Sequence, residues 1–130
     1  MIYKSIIIFL LIPIISFSID KFSGNPILKN YRTADASPQV WNDGKLWVYT
    51  SSDYEQATNY SKMDHYKCYS TTNMVNWEYH GIILSAKDLK WGNPNQGFMF
   101  APDAAYKNGK YYLYFPHRPV NGKGWRVGVA

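Results

Sequence analysis

Apolar and polar positions alternate over short runs, and turn residues bound the runs. Two stretches, Pro38–Tyr49 and Asp103–Tyr114, align without a gap at an offset of 65 residues. Gly44 matches Gly109, Lys45 matches Lys110 and Tyr49 matches Tyr114. Trp41 pairs with Tyr106, and Val48 with Leu113. The arms are β-branched and aromatic, as a pleated surface favours. At the centres stand Asp43-Gly44 and Asn108-Gly109, dipeptides that predict hairpins closed by type I′ turns. Lys67–Thr71, Trp77–Leu84 and Trp125–Ala130 read as further strands. No stretch shows an amphipathic helix of useful length, so the pattern predicts an all-β chain.

A unit of this length, holding about four strands, predicts a β-propeller blade. A β-sandwich is the rival, but it need not repeat its hairpin sequence. Propellers close with roughly four to eight blades, which hides sheet edges and covers apolar faces. This chain has room for fewer than two repeats beyond its leader. It is therefore expected to be a piece of a longer propeller, or a truncated product, with exposed blade edges. The final stretch, Trp125 to Ala130, reads as a strand cut off in progress.

Met1–Ser18 reads as a secretory signal rather than as part of the fold. Lys4 supplies the positive region, Ile6 to Ile15 is apolar except for Pro13, and Ser16 and Ser18 suit cleavage after Ser18. The run is too short for a spanning helix, which needs roughly 20 apolar residues. Residues 19–130 are then the mature, exported chain, with no membrane association after cleavage.

Composition narrows the function classes. Hydrophobic residues make up 46%, aromatics 18% and charged residues 18%, which excludes a disordered tail. The net charge is +5, but the basic residues are scattered, so no nucleic-acid footprint appears. The single cysteine, Cys68, excludes an internal disulfide framework and reads as a buried small residue. His65, His80 and His117 lack metal-ligand spacing. No phosphate loop, HExxH or Gly-x-Ser-x-Gly is present. Asn59-Tyr60-Ser61 is a lone glycosylation sequon. Trp41, Trp47, Trp77 and Trp91 read as core.

Several motifs occur in an order that resembles glycoside hydrolase family 43. Thr33-Ala34-Asp35-Ala36-Ser37-Pro38 is similar to the Ala-Asp-Pro-Ser-type motif that opens that family's first blade. Met63-Asp64-His65-Tyr66, then Tyr69–Trp77 with Glu78–Leu84, resembles the stretch around its "Leu-Val-Asn-Trp". Phe100-Ala101-Pro102-Asp103 resembles the Trp-Ala-Pro-Asp/His motif of the second blade, and Lys107–Phe115 the strand pair that follows. The resemblance runs from about Asn25 to Ala130 and implies a five-bladed β-propeller of which this chain holds about the first two blades.

The same resemblance implies a secreted glycosidase of β-xylosidase, α-L-arabinofuranosidase or arabinanase type, acting on xylan- or arabinan-type polysaccharides of plant cell walls. The mechanism it implies is inverting. One carboxylate activates water, and a carboxylic acid roughly 6.5–9.5 Å away protonates the leaving oxygen. Asp35 matches the general base. By itself, an aspartate near Ser37 could equally cap a turn. Phe100 stands where the family has Trp and is expected to line the sugar site. Asp103 is expected to lie near substrate or to serve structure, and it is not the repeat counterpart of Asp35, since the offset places it on Pro38. The pKa-tuning aspartate and the general-acid glutamate belong to the third and fourth blades. The only glutamates here, Glu55 and Glu78, fall in first-blade segments. No cofactor is expected, and the calcium that some members hold would draw its ligands mainly from outside this chain. The alternative reading is an inert truncated product or a carbohydrate-binding piece of a propeller.

Overall fold

A computed structural model of the chain describes residues 26–130; the signal-like segment Met1–Ser18 lies outside them. Among the described residues, seven strands form two antiparallel sheets. The first holds β1 (Thr33–Val40), β2 (Leu46–Ser52), β3 (His65–Thr71) and β4 (Glu78–Ser85), in that order. The second holds β5 (Asp103–Lys107), β6 (Lys110–His117) and β7 (Arg126–Val129), again in chain order. Two single-turn 3-10 helices, Tyr60–Lys62 and Ala86–Asp88, interrupt the loops. Among the described residues no helix is long and apolar enough to cross a membrane.

Each strand has a reason in the sequence. β3 is central in its sheet and buried along its whole length. β6 alternates, and Leu113, Phe115 and His117 face inward. Leu113 and Phe115 meet Tyr66, Ala86, Met99 and Ala104 in one apolar core between the sheets, flanked by Trp41, Tyr49, Leu84, Leu89 and Trp91. Truncating Phe115, which is 1% exposed, would cost about 3–5 kcal/mol. Cys68 is buried, and burial pushes its thiol up to about 11. Trp47 stacks on His80, whose Nε2 lies 2.8 Å from Ser70 Oγ, so this histidine serves the sheet.

Only one of the two predicted type I′ turns forms. Asn108 and Gly109 both take positive φ, 53° and 78°, as that turn requires. In the first hairpin only Gly44 does, at 74°. There the Gly44 N–H donates to the Trp41 carbonyl at 3.0 Å, which makes a longer turn with glycine in the left-handed position. The reason is local. The Asp43 carboxylate accepts from Lys45 N at 3.1 Å and Trp47 Nε1 at 3.0 Å, which ties it to the following strand.

That longer turn also shifts the repeat by one residue along the first strand. Ser37 pairs with Tyr49, whereas Asp103 pairs with Tyr114. The register therefore makes Asp103 the counterpart of Ser37 rather than of Pro38, and Ala101 the counterpart of Asp35.

Candidate active site

β1 and β5 are the first strands of their sheets and lie against each other. Their N-terminal ends, with the loops after β2, β4 and β6, form one end of the molecule. The hairpin turns at Gly44 and Gly109 form the other. Asp35 stands at the loop-rich end. The ladder between β1 and β2 slips between Ala34 and Ser37, so Asp35 and Ala36 together oppose Thr50. Such a bulge re-aims a side chain. Asp35 takes φ of 54°, a left-handed conformation that aspartate tolerates better than most residues.

The bulge leaves Asp35 exposed but anchored. Its Oδ2 accepts from Ser51 Oγ at 2.6 Å and from the Ala101 N–H at 3.2 Å. No hydrogen bond reaches Oδ1 among the described residues. One oxygen is thus fixed and the other is available to a water molecule, which is the geometry a general base needs. Ser51 is fully buried, and its Oγ also lies 3.2 Å from the Ala34 carbonyl oxygen. Beneath lies Tyr66, likewise buried. Burial, and secondarily the Asp35 charge, raise its phenol far above the usual tyrosine range. It stays protonated and donates to the Phe100 carbonyl at 2.7 Å.

Asp103 has a different task. Its Oδ1 accepts from Ser37 Oγ at 2.6 Å, Gln39 Nε2 at 3.2 Å and its neighbour's Ala104 N–H at 2.9 Å. The Ser37 hydroxyl first, then the Ala104 amide, hold its carboxyl below the ordinary 3.8. It ties the first strand of one sheet to the first strand of the other, next to Asp35. Phe100 is half-buried and joins an aromatic group with Phe98, Trp125 and Tyr60.

The two glutamates are occupied elsewhere. Glu78 opens β4 at the turn end, where Lys45 Nζ lies 3.5 Å away. Glu55 is exposed and sits 4.0 Å from Arg32 Nε. Asp64 accepts from the Tyr54 hydroxyl and lies 2.7 Å from His65 Nδ1. Among the described residues no group of three or more His, Cys, Asp or Glu is placed to hold a metal ion. A cleft of about 220 Å³ opens between the sheets, but Tyr49, Leu84, Ala104 and Leu113 line it, so it is a packing gap apart from Asp35.

Ser51, the Ala101 amide and the tie from Ser37 to Asp103 escape a reading of the sequence. The trace that does exist is the polar run Thr50-Ser51-Ser52, which ends an otherwise apolar strand.

Two meandering sheets with their first strands side by side define two neighbouring blades of a β-propeller, with the Asp35 carboxylate at their shared end. The profile of Glycosyl hydrolases family 43 matches residues 23–130, and the chain belongs to that family. It is 38% identical over 114 residues to xylosidase/arabinosidase 43A of Humicola insolens, covering 81% of this chain and 33% of that protein. It is 35% identical over 105 residues to a xylosidase/arabinosidase of Bacteroides ovatus, covering 75% and 31%. The crystal structure of the GH43_1 enzyme from Xanthomonas citri complexed with xylotriose superimposes with a TM-score of 0.70 at 35% identity, over 81% of this chain and 30% of that one. The chain thus spans about a third of the length of the curated relatives it matches.

Proposed function

We propose that this chain supplies the general-base half of an inverting glycosidase acting on xylan- or arabinan-type polysaccharides of plant cell walls. The carrying observation is Asp35: exposed, held by one oxygen and free at the other, at the end of the strand nearest the neighbouring blade. Water bound at Oδ1 loses its proton to the carboxylate as it attacks the anomeric carbon from the face opposite the leaving group. The leaving oxygen is protonated by an acid that residues 26–130 do not provide, since Glu78 is at the wrong end and Glu55 is paired with Arg32. Similarity to xylosidase/arabinosidases and to a xylotriose-binding enzyme supports the substrate class. Met1–Ser18 would export the protein to where such polysaccharides occur, and N-terminal sequencing of secreted material checks cleavage after Ser18.

A chimera tests the chemistry. This chain replaces the matching portion of the Xanthomonas citri relative, and release of 4-nitrophenol from xyloside and arabinofuranoside substrates is measured. The chimera is expected to hydrolyse one of them, its Asp35→Asn variant to lose about 10²–10⁴-fold, and the 130-residue chain alone to release nothing. Turnover by the chain alone, or by the Asp35→Asn chimera, would refute the assignment.

A further inference from the structure

The end of the sheets that carries Asp35 also carries an uncommitted cation in an aromatic setting. Arg118 directly follows β6, and Trp125 directly precedes β7. The guanidinium carbon lies 4.8 Å from the Phe98 ring centroid and 4.9 Å from that of Trp125. Those two rings meet each other edge-on, and Phe100 touches both at 5.7 and 5.3 Å. Phe100 is joined through one peptide bond to the Ala101 N–H that holds Asp35. The cluster and the carboxylate therefore share one short stretch of backbone.

Packing alone does not account for this arrangement. Arg118 Nε is buried without a partner, and no acceptor or carboxylate among the described residues reaches the guanidinium. An unsatisfied buried donor is destabilising unless a ligand or partner completes it. Phe98 takes φ of 70°, a conformation an aromatic residue rarely adopts, and such strain clusters at ligand sites. The frame is also stiff. The Arg118 carbonyl accepts from Asn93 N at 3.0 Å, Val120 N donates to Trp91 O at 3.0 Å, and Met99 N donates to Met63 O at 2.8 Å. Gly97 passes so near Ser61 that a Cβ would lie 2.1 Å from its carbonyl oxygen, which fixes the segment leading to Phe98.

We propose that Arg118 is a positioning residue for a neutral pentose unit bound beside Asp35, with Trp125 and Phe100 as the apolar wall. The proposal rests on reading the Asp35 end as a sugar site. A pentose presents adjacent hydroxyls, and a guanidinium fork can donate to two of them at once. It also presents a C–H face, which packs on an aromatic ring, and Trp125 is 41% exposed. The Phe98 and Trp125 rings flank the long arginine side chain and hold it in place, so little rotamer freedom is lost when the sugar arrives.

The test is a titration of the full 130-residue chain with xylotriose, followed by the indole N–H resonances. Trp125 is assigned through Trp125→Phe. The Trp125 resonance is expected to shift saturably in the wild type. Arg118→Met is expected to weaken binding about tenfold or more, and Arg118→Lys to keep part of it. Chemical-shift dispersion of the free variants reports the fold. Where Arg118→Met loses that dispersion, Arg118→Gln takes its place in the comparison. Binding by the Met or Gln variant within twofold of wild type would overturn the proposal, as would no saturable shift in the wild type. Arg118-dependent binding of glucuronic acid in preference to xylotriose would overturn the assignment to a neutral sugar. The readout needs no hydrolysis, so it stands apart from the Asp35 assay. A chimera inactivated by Asp35→Asn together with Arg118-independent binding sinks this proposal alone. The reverse pair of results sinks the catalytic reading alone.

Discussion

At the loop-rich end of the first sheet, Asp35 stands two residues before Ser37; at the matching place in the second, Ala101 stands two residues before Asp103. The next strands differ in the same way. Ser51, whose hydroxyl holds Asp35, corresponds to Pro116, and Ser52 corresponds to His117. One hairpin pattern thus serves two purposes. The first sheet presents a carboxylate and the hydroxyl that orients it. The second lends its backbone amide at Ala101 and its own carboxylate at Asp103 as a brace. The contacts are reciprocal, since matching positions of the two sheets face each other.

The largest effect comes from trying to exchange the roles. In the chimera, Asp35→Asn is expected to remove about 10²–10⁴-fold of the rate, and adding Ala101→Asp to restore none of it. Ala101 acts through its N–H, and Pro116 cannot supply the hydroxyl that Ser51 gives. Recovery of even a tenth of the rate in the double variant would show that the two blade ends are interchangeable.

The brace itself comes next. Ser37→Ala removes a hydrogen bond to an ionised carboxylate and is expected to destabilise the chain by about 1.5–3 kcal/mol in urea unfolding. Asp103→Asn should be less damaging, because a side-chain amide still accepts. In a double-mutant cycle the two changes should be strongly non-additive. The carboxyl of Asp103 is held below its ordinary value, so its contribution is present above about pH 4 and is lost as the pH falls through the lower folded value. Asp103→Asn should flatten that acid limb. Additive effects would mean that the brace is an incidental contact.

The hairpin repeat and the all-β class were legible because they rest on short-range patterns: alternating residues, and Asn-Gly and Asp-Gly dipeptides. The ordered set of motifs is what singles out Asp35 for the role proposed for it. The first turn misled because Asp43-Gly44 suits two turn types, and the choice between them falls to a contact with Trp47, four residues on. The same extra residue moved Asp103 from Pro38 onto Ser37. Arg118 and Trp125 carry no local signature, and Ser51 leaves only the faint one of a polar run at the end of its strand. Their meaning comes only from the pairing of β2 with β1 and from the loops that bring Phe98 under the guanidinium.

A third contrast lies at Ser52 and His117, both fully buried. The hydroxyl of Ser52 donates to the Arg32 carbonyl at 2.8 Å and cannot titrate in this range. His117 Nε2 lies 3.1 Å from the Asn93 carbonyl, while its Nδ1 has no partner. Burial pushes the imidazole below its ordinary 6.5. A depressed histidine stabilises the fold above the unfolded value, and that stability is lost as the pH falls from about 6.5 through the folded value. Hydrogen-exchange protection in β6 and β7 should therefore fall between pH 7 and pH 5 more than in β2 and β3. His117→Gln keeps the donor to Asn93 and should remove the difference. Equal losses in both sheets would contradict it.

The smallest effect separates the two turns. Asn108 takes a left-handed conformation at φ 53°, and alanine there should cost about 1 kcal/mol, because a Cβ without a polar side chain is disfavoured in that region. Asp43 is not in that region, so Asp43→Ala loses only its exposed hydrogen bonds to Lys45 N and Trp47 Nε1. The two substitutions can cost similar amounts for different reasons, and glycine tells them apart. Asn108→Gly should be close to neutral, since glycine accepts the turn. Asp43→Gly should cost at least as much as Asp43→Ala, since it loses the same bonds and adds chain entropy. Urea midpoints of the four variants, compared at equal slope, give the answer. If Asp43→Gly were instead the milder change, the first turn would be taking the type I′ form in solution, and the one-residue difference between the blades would disappear with it.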